Sequence, residues 1–271
     1  MNKFTVNDHQ MAYQDIGQGP VILFGHSFLW DSHMWAPQIE ALSQQYRCIV
    51  PDFWGHGQSD SAPKITRTLK DYAQQLLALM DHLDIDQFSI VGLSVGGMWG
   101  AELTTLVPSR VNALVLMDTF VGLEPEVTHK KYFHMLDIIT QHQAVPEPII
   151  EAITPLFFAN NANQDSPELV KAFKQHLSSL KGEQALEIAR VGKIVFSRRD
   201  QIDELDKFTL PVLIAVGSED KPRSMLESYL MQDCITGAQL IQIPNAGHIS
   251  NLEQPQFVTE MLMTFLDKVY S

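Results

Sequence analysis

The chain has 271 residues, enough for one large domain or two modest ones and for a substantial buried core. Hydrophobic residues make up 45% and charged residues 19%, ordinary globular usage that excludes a disordered, collagen-like or disulfide-scaffold chain. Nineteen Lys and Arg against 32 Asp and Glu leave a net charge of −13 with His neutral; such a surface repels phosphate backbones and anionic lipid, so nucleic acid and membrane are poor candidate partners.

The stretch Met1 to Gln10 lacks the apolar core of a signal peptide, and no run approaches the ~18 apolar residues of a membrane span. Cys48 and Cys234 are too few for a disulfide framework and show no C-x-x-C spacing, so reduced thiols in a cytoplasmic protein fit best. Short apolar runs bounded by turn residues predict buried strands at Val21 to Phe24, Cys48 to Val50, Phe88 to Val91, Val111 to Met117, Val212 to Val216 and Leu240 to Ile243. Helix-length segments lie between several of them, with apolar residues three or four apart, as in Leu69, Tyr72, Ala73, Leu76, Leu77, Met80 and Leu83. Alternating strand and helix predicts an α/β fold, a mainly parallel central sheet flanked by helices on both faces.

The alternation breaks after Asp118. From Phe120 to about Lys207 there are helical patterns but no strand, with helices predicted near Glu126 to Gln141, Glu147 to Phe157, Pro167 to Leu180 and Glu183 to Val195. Chain on both sides of this stretch is needed to complete one sheet. The expectation is therefore a core of residues 1–119 and 208–271, interrupted by a helical cap of residues 120–207 that sits over the sheet.

The most informative motif is Gly92-Leu93-Ser94-Val95-Gly96, a G-x-S-x-G placed where an apolar strand ends and a helix begins. A serine on so sharp a turn is held in a strained backbone conformation, and residues two positions away must be small. The turn projects the Ser94 hydroxyl away from the sheet, and the N-terminal amides of the following helix favour negative charge at the same spot. A serine hydroxyl is a weak nucleophile until a base takes its proton, and the base needs a carboxylate to hold its tautomer. In the chain order Ser, acid, His, the candidates are Asp220 and His248, both in loops at the carboxyl ends of predicted strands. Asp118 also ends a predicted strand and is the alternative acid; Glu219 adjoins Asp220.

Other constellations carry no chemistry. His129 and His134 are five residues apart, on different faces of a helix, and outside any H-E-x-x-H pattern. Asp81, Asp84 and Asp86 lack the glycine of a calcium loop and fit a solvated helix end. There is no G-x-G-x-x-G and no P-loop, so neither metal nor nucleotide nor other cofactor is expected.

Several stretches together resemble the α/β-hydrolase fold superfamily over essentially the whole chain. Besides the serine turn, Gly25-His26-Ser27-Phe28 resembles the family's H-G-x oxyanion loop with Ser27 in place of glycine. Asp52-Phe53-Trp54-Gly55-His56-Gly57-Gln58-Ser59 is similar to its D-x-x-G-x-G-x-S turn. Pro108-Ser109-Arg110-Val111, Gly217-Ser218-Glu219-Asp220 and Ala246-Gly247-His248 resemble its entrance to the sixth strand, its acid loop and its histidine loop. The resemblance implies a serine hydrolase acting on a carboxylic ester through an acyl-enzyme. Ser94 would be the nucleophile, His248 the base, Asp220 the acid, and the backbone N–H groups of Phe28 and Val95 the oxyanion donors. His26 would be structural, and Leu29, Trp30, Trp54 and Phe120 are candidates to line an apolar substrate pocket.

Among capped relatives the motifs most resemble the carboxylesterase and 3-oxoadipate enol-lactonase group, so a small-molecule ester is the expected substrate and a lactone the alternative. Serine at the turn disfavours the dehalogenase and epoxide-hydrolase branches, which use aspartate there. A ligand-sensing receptor that retains the triad is a reading from a different class.

Overall fold

The computed structural model describes residues 1–271. The chain opens with a hairpin, β1 (Asn2–Val6) and β2 (His9–Ile16). It continues through β3 (Val21–Gly25), a 3-10 turn (Ser32–Trp35), α1 (Ala36–Leu42), β4 (Arg47–Pro51), α2 (Leu69–His82), β5 (Phe88–Leu93), α3 (Val95–Leu106) and β6 (Val111–Met117). Five helices follow: α4 (Glu126–His142), α5 (Glu147–Phe157), the single turn α6 (Ala162–Asp165), α7 (Pro167–Ser179) and α8 (Glu183–Phe196). A second 3-10 turn (Ile202–Lys207) returns the chain to β7 (Val212–Gly217), α9 (Met225–Cys234), β8 (Gln239–Ile243), α10 (Ser250–Glu253) and α11 (Pro255–Tyr270).

The strands form one eight-stranded sheet in the order β1-β2-β4-β3-β5-β6-β7-β8. β1 and β2 pair antiparallel, as do β2 and β4, and every other pairing is parallel. All six predicted strands are present within two residues of the expected ends. β5 and β7 are buried along their whole length, which is why they read as continuous apolar runs rather than alternating ones. The hairpin is an addition to the expected set. Its strands lie at the sheet's edge and are partly exposed, so they carry mixed polar and apolar residues instead of an apolar run. The local signal is the Asn7-Asp8 pair, both with positive φ, flanked by Phe4 and Val6 on one side and Met11 and Tyr13 on the other.

α2 begins where the sequence calls for it: Thr68 accepts from the Asp71 amide, and Asp71 reaches back to the Thr68 amide, a capping box. Its apolar stripe, Leu69, Tyr72, Ala73, Leu76, Leu79 and Met80, is buried. α2 packs on α3 and α1 on α11, while α3 lies against β3, β5 and β6. The four long inserted helices occupy the predicted stretches and pack as α4 with α8 and α5 with α7. No helix is long and apolar enough to cross a membrane.

The sheet's centre is packed backbone against backbone. A Cβ on Gly96 would stand 2.2 Å from the Gly25 carbonyl oxygen, one on Gly92 2.3 Å from the Gly96 carbonyl carbon, and one on Gly25 2.6 Å from the Gly96 Cα. These three residues let the end of β3, the end of β5 and the start of α3 meet without side chains between them. Gly96→Ala must push α3 off β3, and it should cost at least about 2 kcal/mol of unfolding free energy, the scale of overpacking in a tight core. Urea unfolding measures it; stability equal to wild type would mean that α3 is free to shift.

Candidate active site

Ser94 joins β5 to α3 with φ 55° and ψ −117°, a conformation that L residues rarely adopt. The surroundings hold it there. Its amide donates to the Met117 carbonyl at 2.9 Å, and its own carbonyl accepts from the Thr119 hydroxyl at 2.7 Å, so the end of β6 braces both sides of the peptide. Ser94 is the N-cap of α3 and Val95 its first residue, so the Val95 amide is one of the helix's unsatisfied N-terminal donors.

The three candidates for the reaction centre meet. His248 Nε2 lies 2.9 Å from Ser94 Oγ, and His248 Nδ1 lies 2.9 Å from Asp220 Oδ2. Asp220 Oδ1 accepts from the Arg223 amide at 3.0 Å. An ionised Asp220 takes the Nδ1–H, which leaves Nε2 as an acceptor for the serine proton. Burial draws the His248 imidazole down to about 4, so it is neutral at neutral pH. Burial pushes the Asp220 carboxyl up, and the Arg223 amide and guanidinium oppose that shift.

Asp118, the alternative acid, lies close by but is used differently. Its Oδ1 accepts from the Gly217 amide at 2.8 Å and its Oδ2 from the Ser250 hydroxyl. It therefore ties the end of β6 to the end of β7 and to the segment just beyond His248, while Asp220 holds the His248 Nδ1 position. Burial, and then the neighbouring Asp220, push the Asp118 carboxyl well above its usual range.

The loop after β3 is fixed by two buried neutral histidines. His26 donates from Nδ1 to the Ser27 carbonyl and accepts the Phe53 amide at Nε2, and His56 donates to the Trp54 carbonyl and accepts the Leu29 amide. Burial lowers both imidazoles, His56 to about 3. Asp52 accepts the amides of Ser32 and Gln58, and a Cβ on Gly57 would collide with its carboxylate. The D-x-x-G-x-G-x-S stretch is thus a brace for the loop after β3. The Ser27 amide is taken by Met34 Sδ and the Leu29 amide by His56, and the Phe28 amide between them makes no hydrogen bond.

Ser94 and His248 open onto a cavity in which 13 of 18 lining residues are hydrophobic. The inserted helices supply most of the wall: Tyr132, Met135, Leu136 and Ile139 from α4, Ile153, Leu156 and Phe157 from α5, and Ile188, Val195 and Phe196 from α8. The core adds Ser27, Phe28, Leu29, Met98, Pro222 and Arg223. Of the four pocket residues expected from sequence, Leu29 lines this cavity. Trp30 is instead stacked on Phe173 at 4.9 Å beside a separate groove, Trp54 is in the core with its indole N–H on Gln75 Oε1, and Phe120 packs near Gly122. The helical residues were missed because a stripe that lines a cavity has the same periodicity as one that fills a core.

The end of α5 is fastened to the loops that carry Asp220 and His248. The amides of His248 and Ile249 donate to the Phe157 carbonyl, and the Phe157 ring meets the His248 ring edge-on at 5.4 Å. Lys221 Nζ binds the Pro155 and Phe158 carbonyls, a cation at a helix C-terminus, and Glu219 accepts the Asn160 amide. Glu253 accepts the Ala159 amide with one oxygen and the Gly247 amide with the other.

The α/β-hydrolase fold family matches residues 20–255 of this chain. The chain belongs to that family. It is 26% identical over 254 residues to "3-oxoadipate enol-lactonase 2" of Acinetobacter baylyi, covering 93% of this chain and 91% of the relative. It is also 26% identical over 255 residues to "Uncharacterized carboxylesterase nap" of Bacillus subtilis, covering 92% and 79%. Among solved structures, a thermophilic esterase from Thermogutta terrifontis superimposes with a TM-score of 0.91 at 27% identity over 100% of both chains. This α/β-hydrolase thus carries the hydrogen-bonded Ser94, His248 and Asp220 chain at the carboxyl end of its sheet, beneath an inserted helical region.

An acid limb follows from the buried histidine. A His248 that takes the Ser94 proton must be neutral, so in that role hydrolysis should hold from neutral pH downward and fall as pH drops through about 4, where the imidazole gains its proton. A pH profile of kcat/KM from brief pH jumps checks this, and a limb near pH 6.5, the ordinary imidazole value, would mean a hydrated His248.

Proposed function

We propose that this α/β-hydrolase is a carboxylesterase that cleaves a small, largely apolar ester through an acyl-enzyme, with Ser94, His248 and Asp220 as its triad. The observation that carries this reading is the hydrogen-bonded sequence Asp220–His248–Ser94 at the mouth of an apolar cavity. Ser94 Oγ attacks the ester carbonyl carbon while His248 Nε2 takes its proton. The oxyanion forms against the Val95 and Phe28 amides, one such donor being worth about 3 kcal/mol to the transition state. The tetrahedral adduct then collapses: the C–O bond to the alcohol breaks, the alkoxide takes the proton from Nε2, and the acyl group stays on Ser94. Water repeats the sequence in deacylation, giving its proton to His248 and releasing the acid.

Residues 120–207 act as the cap that shapes the acyl or alcohol pocket, because α4, α5 and α8 supply most of the apolar wall. That wall and the net charge of −13 favour a neutral ester. A lactone is the second reading, supported by the enol-lactonase relative; ring opening uses the same attack and the same proton transfers, with the leaving alkoxide tethered to the acyl group.

Ser94→Ala should abolish turnover of p-nitrophenyl esters, and a serine-directed phosphonate should label Ser94 in the folded wild type; an unlabelled Ser94 sinks the nucleophile assignment. Among chain lengths, the apolar cavity should favour butanoyl to octanoyl esters over acetyl by about tenfold or more in kcat/KM. A lactone panel run in parallel separates the two readings, and sustained multiple turnover separates both from a receptor.

Asp220→Asn should lower kcat by about 10⁴-fold, because the amide cannot hold the required imidazole tautomer. Asp118→Asn should act on stability more than on kcat. Steady-state kinetics on both variants decide the acid, and the reverse ranking would assign it to Asp118.

A further inference from the structure

Glu124, Arg198 and Arg223 form a buried charge cluster that the reaction as written does not use. Glu124 Oε2 accepts from Arg198 Nη1 at 2.9 Å and from Arg223 Nη2 at 2.6 Å, and no side chain of the three is more than 3% exposed. Arg223 Nη1 also lies 3.4 Å from Glu227 Oε1. The three residues come from three parts of the chain. Glu124 lies between β6 and α4, where the inserted helices begin; Arg198 lies just past α8, where they end; Arg223 lies in the loop after β7, three residues beyond Asp220.

We propose that this cluster is the positioning device of the site, clasping both ends of the inserted helices to the acid loop and fixing the charge around His248. The proposal rests on the triad reading above. The mechanical path runs from the Glu124 carboxylate to the Arg223 guanidinium, then through the Arg223 amide to Asp220 Oδ1, Asp220 Oδ2 to His248 Nδ1, and His248 Nε2 to Ser94 Oγ. Arg223 also lines the substrate cavity, so the clasp reaches the same space as Ser94.

Stability alone is a poor reason for such a cluster, because burying two guanidiniums against one carboxylate recovers little of what their desolvation costs. Arg198 Nε and Nη2 and Arg223 Nε have no acceptor in the protein. Burial would raise the Glu124 carboxyl, but the two guanidiniums outweigh it and hold the group below its usual range. The charged groups facing His248 are Asp220 and Arg223 on the acid loop, Asp118 at the end of β6, Glu124 beyond it and Glu227 on α9, with Glu253 of α10 on the Gly247 amide. Tyr132 of α4 faces Arg223 and Glu124. The charges of Arg198, Arg223, Glu124 and Glu227 cancel, so removing one cation or one anion leaves a net charge of opposite sign near the imidazole. Arg223 disfavours the imidazolium and Glu124 favours it.

The test reads His248 directly. The imidazole is titrated by NMR, and the pH profile of p-nitrophenyl ester hydrolysis is recorded for wild type, R223Q, R223K and E124Q. R223Q should move the His248 midpoint and the acid limb up by about half a pH unit or more, and E124Q should move them down by a similar amount. R223K keeps the charge and should hold the midpoint. In R223Q and E124Q kcat should fall at least about tenfold with KM within about threefold, the pattern of a lost transition-state contact. Unmoved midpoints, or shifts of the same sign in R223Q and E124Q, overturn the proposal.

Circular dichroism checks folding. If R223Q or E124Q does not fold, R223K and E124D decide: each should lower kcat at least about fivefold at an unchanged midpoint, and wild-type kcat in both overturns the clasp. An active Ser94→Ala variant would instead defeat the triad reading, and the NMR titration would still report on the charge cluster.

Discussion

The close approach of β3, β5 and the start of α3 is the constraint on which the rest of the site depends. Ser94 stands at positive φ, which costs free energy, and it is held there because the Gly25, Gly92 and Gly96 backbones touch and the end of β6 grips the Ser94 peptide on both sides. From that point the geometry propagates outward. The first amide of α3 follows the serine directly, the loop after β3 brings Phe28 to the same cavity, and the parallel sheet delivers the ends of β7 and β8 to the same edge.

A serine fixed so firmly needs partners fixed to match, and the inserted helices supply part of that. The carbonyl of Phe157 receives the His248 amide, and Glu219 and Lys221, on either side of Asp220, both reach the end of α5. Gly247 has no room for a side chain because the Phe158–Ala159 backbone lies against it. A helical region sewn to both loops in this way is part of the framework. Its apolar inner face also walls the cavity, so one set of helices sets the shape of the pocket and the alignment of the residues beneath it.

Buried polar groups on the other side of the serine follow the same logic. His26, His56 and Asp52 are each satisfied by backbone partners around the loop after β3, and the low values of the two imidazoles come from burial. They hold the loop that bears Phe28 and are spent on backbone geometry. His248, equally buried, differs in that its free nitrogen meets a side-chain hydroxyl rather than an amide.

The sequence by itself determined the strands, because a strand buried on both faces must be an apolar run. It also determined the serine turn, whose glycines are demanded by contacts within a few residues of Ser94, and the helices of the insertion, whose boundaries are written in local proline, glycine and asparagine. The edge hairpin escaped because a half-exposed strand needs no apolar run, although Asn7-Asp8 marked its turn. Tertiary structure alone decided the rest. Asp118 and Asp220 each end or follow a strand, and only the packing of β6 against β7 shows that one braces Gly217 and Ser250 while the other meets His248. Trp30 and Trp54 are aromatic neighbours of the motifs that nonetheless pack away from the cavity. The union of Glu124, Arg198 and Arg223 spans a hundred residues of chain, and no local pattern encodes it, because charge pairing depends on distance in space and not along the sequence.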